Sequence, residues 1–463
     1  MDHDTIAAVS TPMGEGGIGL VRVSGPLSLP IADRLFQSPR PTPPSSFPSH
    51  TLHYGFIIDP ERGERVDEVL LSIMRSPHSY TREDVIEING HGGLVPLLRI
   101  LELVLKEGAR LAAPGEFTKR AFLNGRIDLA QAEAVMEIIR AKSERGLMLA
   151  MRHLDGSLSR RIQQAKARVL SVLAETEAAL DFPEEGLETI SAKEAQEEME
   201  KIGLELKALI LGFQEGRIFE EGIATALIGR PNVGKSSLFN ALLQRDRAIV
   251  TSQPGTTRDS LEEVVNLQGL PFLLIDTAGM RGDDSSLEMA EKEGLERATA
   301  WMEKADLLLV LIDGSEPLTS EDRILLRRAR GRRAILVVNK KDLPQKAEEP
   351  EMKVLLPETP SVKVSARSGA GLEELKGAMF QVMERGGLDM TQDLVITHLH
   401  HRRALEKAQM ALLRGKDSLA NGLPAELVSL DLRECLDALG VITGETTSED
   451  LLEEIFSRFC IGK

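Results

Sequence analysis

One segment constrains this chain more than any other. Residues 224–230 read ATALIGR, an apolar run ending in Gly229, and the next residues are Pro231-Asn232-Val233-Gly234-Lys235-Ser236. The spacing is G-x-x-x-x-G-K-S, directly after a strand-like run and directly before a helical one. Glycines at both ends let backbone N–H groups wrap around phosphate oxygens, and the helix start that follows favours an anion. Three more apolar runs come later: FLLIDTAG (272–279), LLLVLIDG (307–314) and AILVVNKKD (334–342). Helical stretches separate them. Continuous apolar strands alternating with helices predict a parallel sheet covered on both faces, placed at residues 220–385.

The ends of those strands carry the chemistry. Lys235 suits the β- and γ-phosphates and the Ser236 hydroxyl suits Mg²⁺, with Asn232, Val233, Gly234 and Ser237 completing the phosphate loop. Asp276-Thr277-Ala278-Gly279 closes the next strand, where the carboxylate suits an outer-sphere Mg²⁺ role and the glycine a close approach to the γ-phosphate. Asn339-Lys340-Lys341-Asp342 closes another. The Asp342 carboxylate there can accept two hydrogen bonds from guanine N1–H and the 2-amino group. Adenine lacks that pair and would leave a buried acceptor unpaired. Ser365-Ala366-Arg367 then suits a backbone contact to guanine O6. The loop Gly255-Thr256-Thr257-Arg258-Asp259 supplies a threonine for Mg²⁺, and Thr251-Ser252-Gln253-Pro254 just before it are counted with the nucleotide site. A chance glycine turn would not be followed by three further elements in this order. The reading is a GTP-hydrolysing domain.

One position departs from the Ras arrangement. A water-orienting Gln is expected directly after Asp-Thr-Ala-Gly, and Met280 stands there. Met cannot orient water. The nearest alternative source is the acidic stretch Glu288, Glu291, Glu293 and Glu296, which read singly is a solvated helix face.

Outside the sheet block, residues 1–124 mix strand-like runs (VLLSIM at 69–74, DVIEING at 84–90) with a helix at 94–108 ended by Gly108. Residues 125–219 are helical. Leu158, Ile162, Ala165, Val169, Leu173, Thr176 and Leu180 form one apolar stripe, broken at Asp181-Phe182-Pro183. Helical texture returns at 386–463. The expected fold class is therefore a multidomain α/β plus all-α protein. An N-terminal α/β domain precedes a discontinuous helical domain, with a Ras-like P-loop domain inserted into the latter.

Composition excludes several classes. Two cysteines, Cys435 and Cys460, in 463 residues rule out a disulfide-stapled fold and suit a reducing compartment. The start, Met1-Asp2-His3-Asp4, lacks the basic and apolar regions of a signal peptide, and no apolar run approaches a membrane span. The expectation is a cytoplasmic protein without a membrane partner. A net charge of −16 argues against broad nucleic-acid binding, and 3% aromatic residues against a single-strand stacking platform.

Several stretches carry a family likeness: TPMGEGGIGLVRVSG (11–25), SYTREDVIEINGHGG (79–93), PGEFTKRAFLNGRIDLAQAEAV (114–135), the inserted block, and the closing Cys460-Ile461-Gly462-Lys463. Together they resemble the tRNA-modification GTPases of the MnmE (TrmE) family over essentially the whole length. The resemblance implies an N-terminal folate-binding domain that drives homodimerisation and a heterotetramer with the FAD-dependent partner MnmG. It also implies installation of a carboxymethylaminomethyl-type group on C5 of the wobble uridine of certain tRNAs. A one-carbon folate, 5-formyltetrahydrofolate or another one-carbon tetrahydrofolate, supplies the methylene.

Carried over by motif, the folate contacts are Arg22, Glu87, Arg126 (often Lys in the family) and Lys463. K⁺ falls to Asn232, Thr251, Gln253 and Thr256, and Mg²⁺ to Ser236 and Thr257. The catalytic glutamate falls on Glu291, before Gly294, with Glu288 the alternative because about three extra residues follow Met280. Cys460 is implied in the modification reaction. Two rival readings remain: a ribosome-assembly type GTPase switch without modification chemistry, for which no basic appendage is found, and a folate enzyme with a merely structural GTPase domain.

Overall fold

The computed structural model describes residues 4–39, 41–181, 191–246, 262–276, 301–385 and 396–463. Within these the chain forms two compact units. One holds residues up to 136, 153–170 and 433–463; the other holds 137–152 and 171–432.

The first unit is built on a seven-stranded sheet of β1 (Ile6–Val9), β2 (Gly16–Ser24), β3 (Phe36–Gln37), β4 (Thr51–Asp59), β5 (Glu64–Met74), β6 (Val85–Gly92) and β7 (Arg110–Leu111). The order is β3-β4-β5-β6-β2-β1-β7. Neighbours are antiparallel except β1 and β7. Alternation drives it: Val21, Val23, Val69, Leu71, Ile73, Ile86 and Ile88 point to one buried face. There they meet Leu97, Ile100, Leu103 and Val104 of the helix Leu94–Lys106. Gly108, with φ at +107°, follows that helix.

The second unit contains a six-stranded sheet of β8 (Ile223–Ile228), β9 (Glu262–Leu267), β10 (Leu270–Asp276), β11 (Leu307–Asp313), β12 (Ala334–Asn339) and β13 (Ser361–Lys363). The order is β13-β12-β11-β8-β10-β9. All pairs are parallel except β9 with β10. Every residue of β11 and of β12 is buried, as expected of strands covered on both faces. The β9–β10 hairpin was not foreseen in the sequence. Its turn is Gln268-Gly269, both residues at positive φ.

Helices from both sides of this sheet in the sequence pack within the same unit. Ala192–Leu211 opens with a capping box between Ser191 and Glu194. It lies against Leu399–Ala420, where Gln409 Nε2 donates to the Gly203 carbonyl at 3.1 Å and Lys416 pairs with Glu200 at 2.9 Å. Among the described residues no helix is long and apolar enough to cross a membrane.

Candidate functional site

The phosphate loop leaves the carboxyl end of β8, between β10 and β11, where open parallel sheets bind ligands. Its glycines are sterically required. A Cβ on Gly229 would lie 2.7 Å from the Leu311 carbonyl, and one on Gly234 would lie 2.3 Å from Asn339 Nδ2, at a φ of +98°. Asn232 takes a left-handed φ of +63°, which Asn tolerates better than most residues. Buried Val233 anchors the loop, and Lys235 begins the helix Lys235–Asp246. Lys235 Nζ donates to the carbonyls of Gly229 (2.8 Å) and Arg230 (2.9 Å), so the ammonium is held inside its own loop. Ser236 and Ser237 lie on the first turn of that helix, and Asp276 is buried at the end of β10.

The guanine end is assembled around Asn339. Its Nδ2 donates to the Val233 carbonyl at 2.8 Å, and its Oδ1 accepts from the Ala366 N–H at 3.1 Å. Both polar ends are thus engaged with protein, and Asn339 braces the phosphate loop against the Ser365-Ala366-Arg367 loop. Lys340 Nζ lies 2.5 Å from the buried Asp313 carboxylate. Asp342 is exposed, and a hydrogen bond from the Ser365 hydroxyl holds its carboxyl below the usual range. An ionised, accessible carboxylate is the acceptor that guanine N1–H and the 2-amino group require.

A second constellation lies in the first unit. Arg22 on β2 and Glu87 on β6 are direct cross-strand partners, with Nε donating to Oε1 at 2.8 Å. The Arg22 guanidinium sits over the Tyr80 and Phe117 rings (5.5 and 5.6 Å), and the Arg126 guanidinium lies 4.7 Å from the Tyr80 centroid. Arg22, Tyr80, Glu87 and Arg126 line a cleft of about 600 Å³ together with His50 and His78.

The C-terminal tail docks onto this pair. Arg22 Nη1 donates to the Gly462 carbonyl at 3.2 Å, Ser10 Oγ donates to the same oxygen at 3.0 Å, and the Phe117 N–H donates to the Lys463 carbonyl at 3.1 Å. Gly462 has φ at +92°, and a Cβ there would lie 2.6 Å from the Val9 carbonyl. Burial, followed by the nearby Arg22 charge, pushes the Lys463 ammonium below the ordinary lysine value. Cys460 is an exposed free thiol; Cys435 is buried, and burial pushes it up to about 12.

The sequence matches the family description "GTP-binding protein TrmE N-terminus" over residues 5–126 and "MnmE helical domain" over residues 129–460. Curated proteins described as "tRNA modification GTPase MnmE" are similar over the full length. That of Thermoanaerobacter pseudethanolicus is 48% identical, covering 100% of both chains. That of Geobacter sulfurreducens is 48% identical, covering 100% of this chain and 99% of the relative. That of Geobacillus thermodenitrificans is 46% identical, covering 100% of both. The chain belongs to the MnmE (TrmE) family of tRNA-modification GTPases.

Within this MnmE-family chain, Arg22, Glu87, Arg126 and Lys463 fall in one place, as do Asn232 to Ser237 with Asn339 and Ala366. Thr251, Ser252, Gln253, Pro254, Gly255, Thr256, Thr257, Thr277, Ala278, Gly279, Glu288 and Glu291 lie outside the described residues. Sequence reasoning missed Arg120. It is buried and bonds Asp4 (2.5 Å), Glu83 (3.0 Å) and Glu116 (3.2 Å). Burial alone would raise the Asp4 carboxyl; Arg120 and Arg110 hold it below its usual value. The network fixes the helix Glu116–Leu123, whose Phe117 N–H receives the tail. Its only signal was Arg120 inside PGEFTKRAFLN, indistinguishable in sequence from a solvated helix charge.

Proposed function

We propose that this chain hydrolyses GTP and, with an FAD-dependent partner of the MnmG type, adds a carboxymethylaminomethyl-type group to C5 of the wobble uridine of certain tRNAs, working as a homodimer in the cytoplasm. The observation that carries this reading is the docking of Gly462 and Lys463 onto the Arg22–Glu87 pair. A GTPase switch alone has no use for a tail docked on a residue of this cleft.

The cleft residues fit a one-carbon tetrahydrofolate. Arg22 and Arg126 present planar donor forks to carboxylates, Glu87 offers an acceptor to the N–H edge of a pterin, and Tyr80 offers a flat face. Lys463 adds an ammonium. When bound, the folate supplies the one-carbon unit. The chain's own part is to hold it, with Cys460 exposed two residues from the docked Gly462.

At the other site, Lys235 would meet phosphate oxygens, Ser236 and Thr257 would hold Mg²⁺, and Asn232, Thr251, Gln253 and Thr256 would hold K⁺. Lys235 would exchange two carbonyl partners for phosphate, so no unsatisfied cation waits in the loop. Met280 leaves water orientation to Glu291, or to Glu288 across the extra residues. A K⁺ beside the phosphates would offset charge where an arginine finger acts in other GTPases. We assign residues 1–124 to the folate and dimerisation domain, 125–219 and 386–463 to the helical domain, and 220–385 to the GTPase domain.

The deciding experiment measures modified wobble uridine in cells lacking this protein, with and without its gene restored. Absent modification, recovered on restoration, is expected; unchanged modification overturns the reading. GTP hydrolysis is expected to run faster in potassium than in sodium buffer, and equal rates would remove the K⁺ assignment.

A further inference from the structure

The chain is acidic, yet its densest basic run is Arg327, Arg328, Arg330, Arg332 and Arg333, all exposed, at the end of the helix Ser320–Ala329 and before β12. Two of these, Arg332 and Arg333, converge with Arg217 and Arg402 on a cleft of about 430 Å³ that Phe213, Ala305 and Asp306 complete. These residues are far apart in sequence. Arg217 precedes the sheet, Arg332 and Arg333 lie within it, and Arg402 follows it, so the fold alone assembles the four guanidiniums.

Arg217, Arg402 and Arg332 are held in place by neighbouring groups. Arg217 pairs with Asp306 at 2.7 Å and with Glu221 at 3.1 Å. Arg402 Nε donates to Glu406 at 2.8 Å, and its guanidinium lies over the Phe213 ring at 5.3 Å. Arg332 donates to the Met302 carbonyl. A guanidinium has five N–H donors in a fixed fork, and these contacts use one or two of them. Four positive charges face one lining carboxylate, Asp306. Arg327, Arg328 and Arg330 extend the same charge along the surface.

The geometry points to a phosphate-binding site here, separate from the nucleotide site, whose occupant is a backbone phosphate of the tRNA substrate. Arginine forks match phosphate oxygens bidentately where lysine would offer a point charge. A basic cleft on an otherwise repulsive surface would position a polyanion without binding it broadly. The identity of the phosphate rests on the tRNA reading above; the anion site rests on the four arginines.

The test uses the full-length protein, with Arg332→Glu/Arg333→Glu together and Arg402→Gln alone. Transfer RNA binding is titrated by fluorescence anisotropy across a series of KCl concentrations. Inorganic phosphate and polyglutamate serve as competing probes. The expected result is at least a tenfold loss of tRNA affinity in the double variant. Its salt slope should also become shallower, by about one for each phosphate the protein no longer neutralises. GTP hydrolysis without RNA should stay within twofold, which also reports folding; should the double variant not fold, Arg402→Gln carries the same test with a smaller loss. Unchanged tRNA affinity and slope overturn the proposal. So does loss of inorganic phosphate or polyglutamate binding with tRNA binding intact, which would assign the cleft to a free anion or an acidic protein. Wild-type protein that binds no tRNA at any salt would instead sink the tRNA reading itself.

Discussion

The nucleotide loop and the tail cleft both fix a cationic side chain in place, in opposite ways. The loop does it locally. Lys235 bonds carbonyls five and six residues away, while Gly229 and Gly234 are dictated by Leu311 on β11 and Asn339 at the end of β12. The cleft does it at long range. Arg22 meets Glu87 across 65 residues and Gly462 across 440. A cation held by its own loop survives any change elsewhere that leaves β8, β11 and β12 in place. A long-range site depends on the whole unit and can be dismantled at its last residue. The two should therefore fail independently.

The largest effects test that independence directly. Lys235→Ala should slow GTP hydrolysis at least a hundredfold, about 2.7 kcal/mol in barrier, while folate affinity measured by calorimetry stays within twofold. Cys460→Ser should do the reverse, removing wobble-uridine modification while hydrolysis stays near wild type. A Lys235→Ala protein with weakened folate binding, or a Cys460→Ser protein with weakened hydrolysis, would break the comparison.

Next in size is the water-orienting group. Glu291→Ala should slow hydrolysis at least tenfold, roughly 1.4 kcal/mol, with GTP affinity unchanged. If Glu288→Ala has that effect and Glu291→Ala does not, the extra residues after Met280 shift the role to Glu288.

The same contrast explains what could be read from the sequence. Strands β8, β10, β11 and β12 announced themselves because doubly covered strands are continuously apolar, and their terminal motifs carry fixed spacings. The stripe from Leu158 to Leu180 marked the helix Ser157–Asp181 equally plainly. Strands β2 and β4 did not stand out. Glycines and exposed polar residues interrupt them, and their pairing is a tertiary fact. Asn339 sits in a motif that suggests a base contact, and only the folded chain places it between Val233 and Ala366. The arginine cleft is invisible in segment charge, because acidic residues outnumber basic ones over each segment and only the fold brings the four arginines together. Arg120 and the need for Gly at 462 became visible only once the tail was docked.

A moderate effect follows from that glycine. In Gly462→Ala the new methyl would meet the Val9 carbonyl and Ser10 Cα within 3 Å, at a φ that alanine disfavours. The tail should lift, releasing Arg22 from the Gly462 carbonyl, and affinity for 5-formyltetrahydrofolate should fall severalfold while hydrolysis is unchanged. Native-state labelling offers a companion check. One thiol, Cys460, should react with a maleimide in the folded protein, and Cys435 only after unfolding, because burial both excludes the reagent and keeps the thiol protonated.

The smallest effect is in pH. Burial, then Arg22, lowers the Lys463 ammonium below the ordinary lysine value in the docked tail. The unfolded or undocked tail therefore binds more protons in the window between the lowered and the ordinary value, so docking strengthens as pH rises through it. Anion affinity moves the other way. As Lys463 loses its proton, the cleft loses one positive charge, and a folate carboxylate loses a partner. Folate affinity should thus decline at a pH below that at which an ordinary lysine titrates, while hydrogen-exchange protection of the Phe117 N–H, which donates to the Lys463 carbonyl, holds or rises. Lys463→Met should flatten the affinity profile and leave hydrolysis untouched. A wild-type profile already flat across that window would mean that Arg22 and Arg126 hold the carboxylates alone, and that the tail serves the cleft through its backbone.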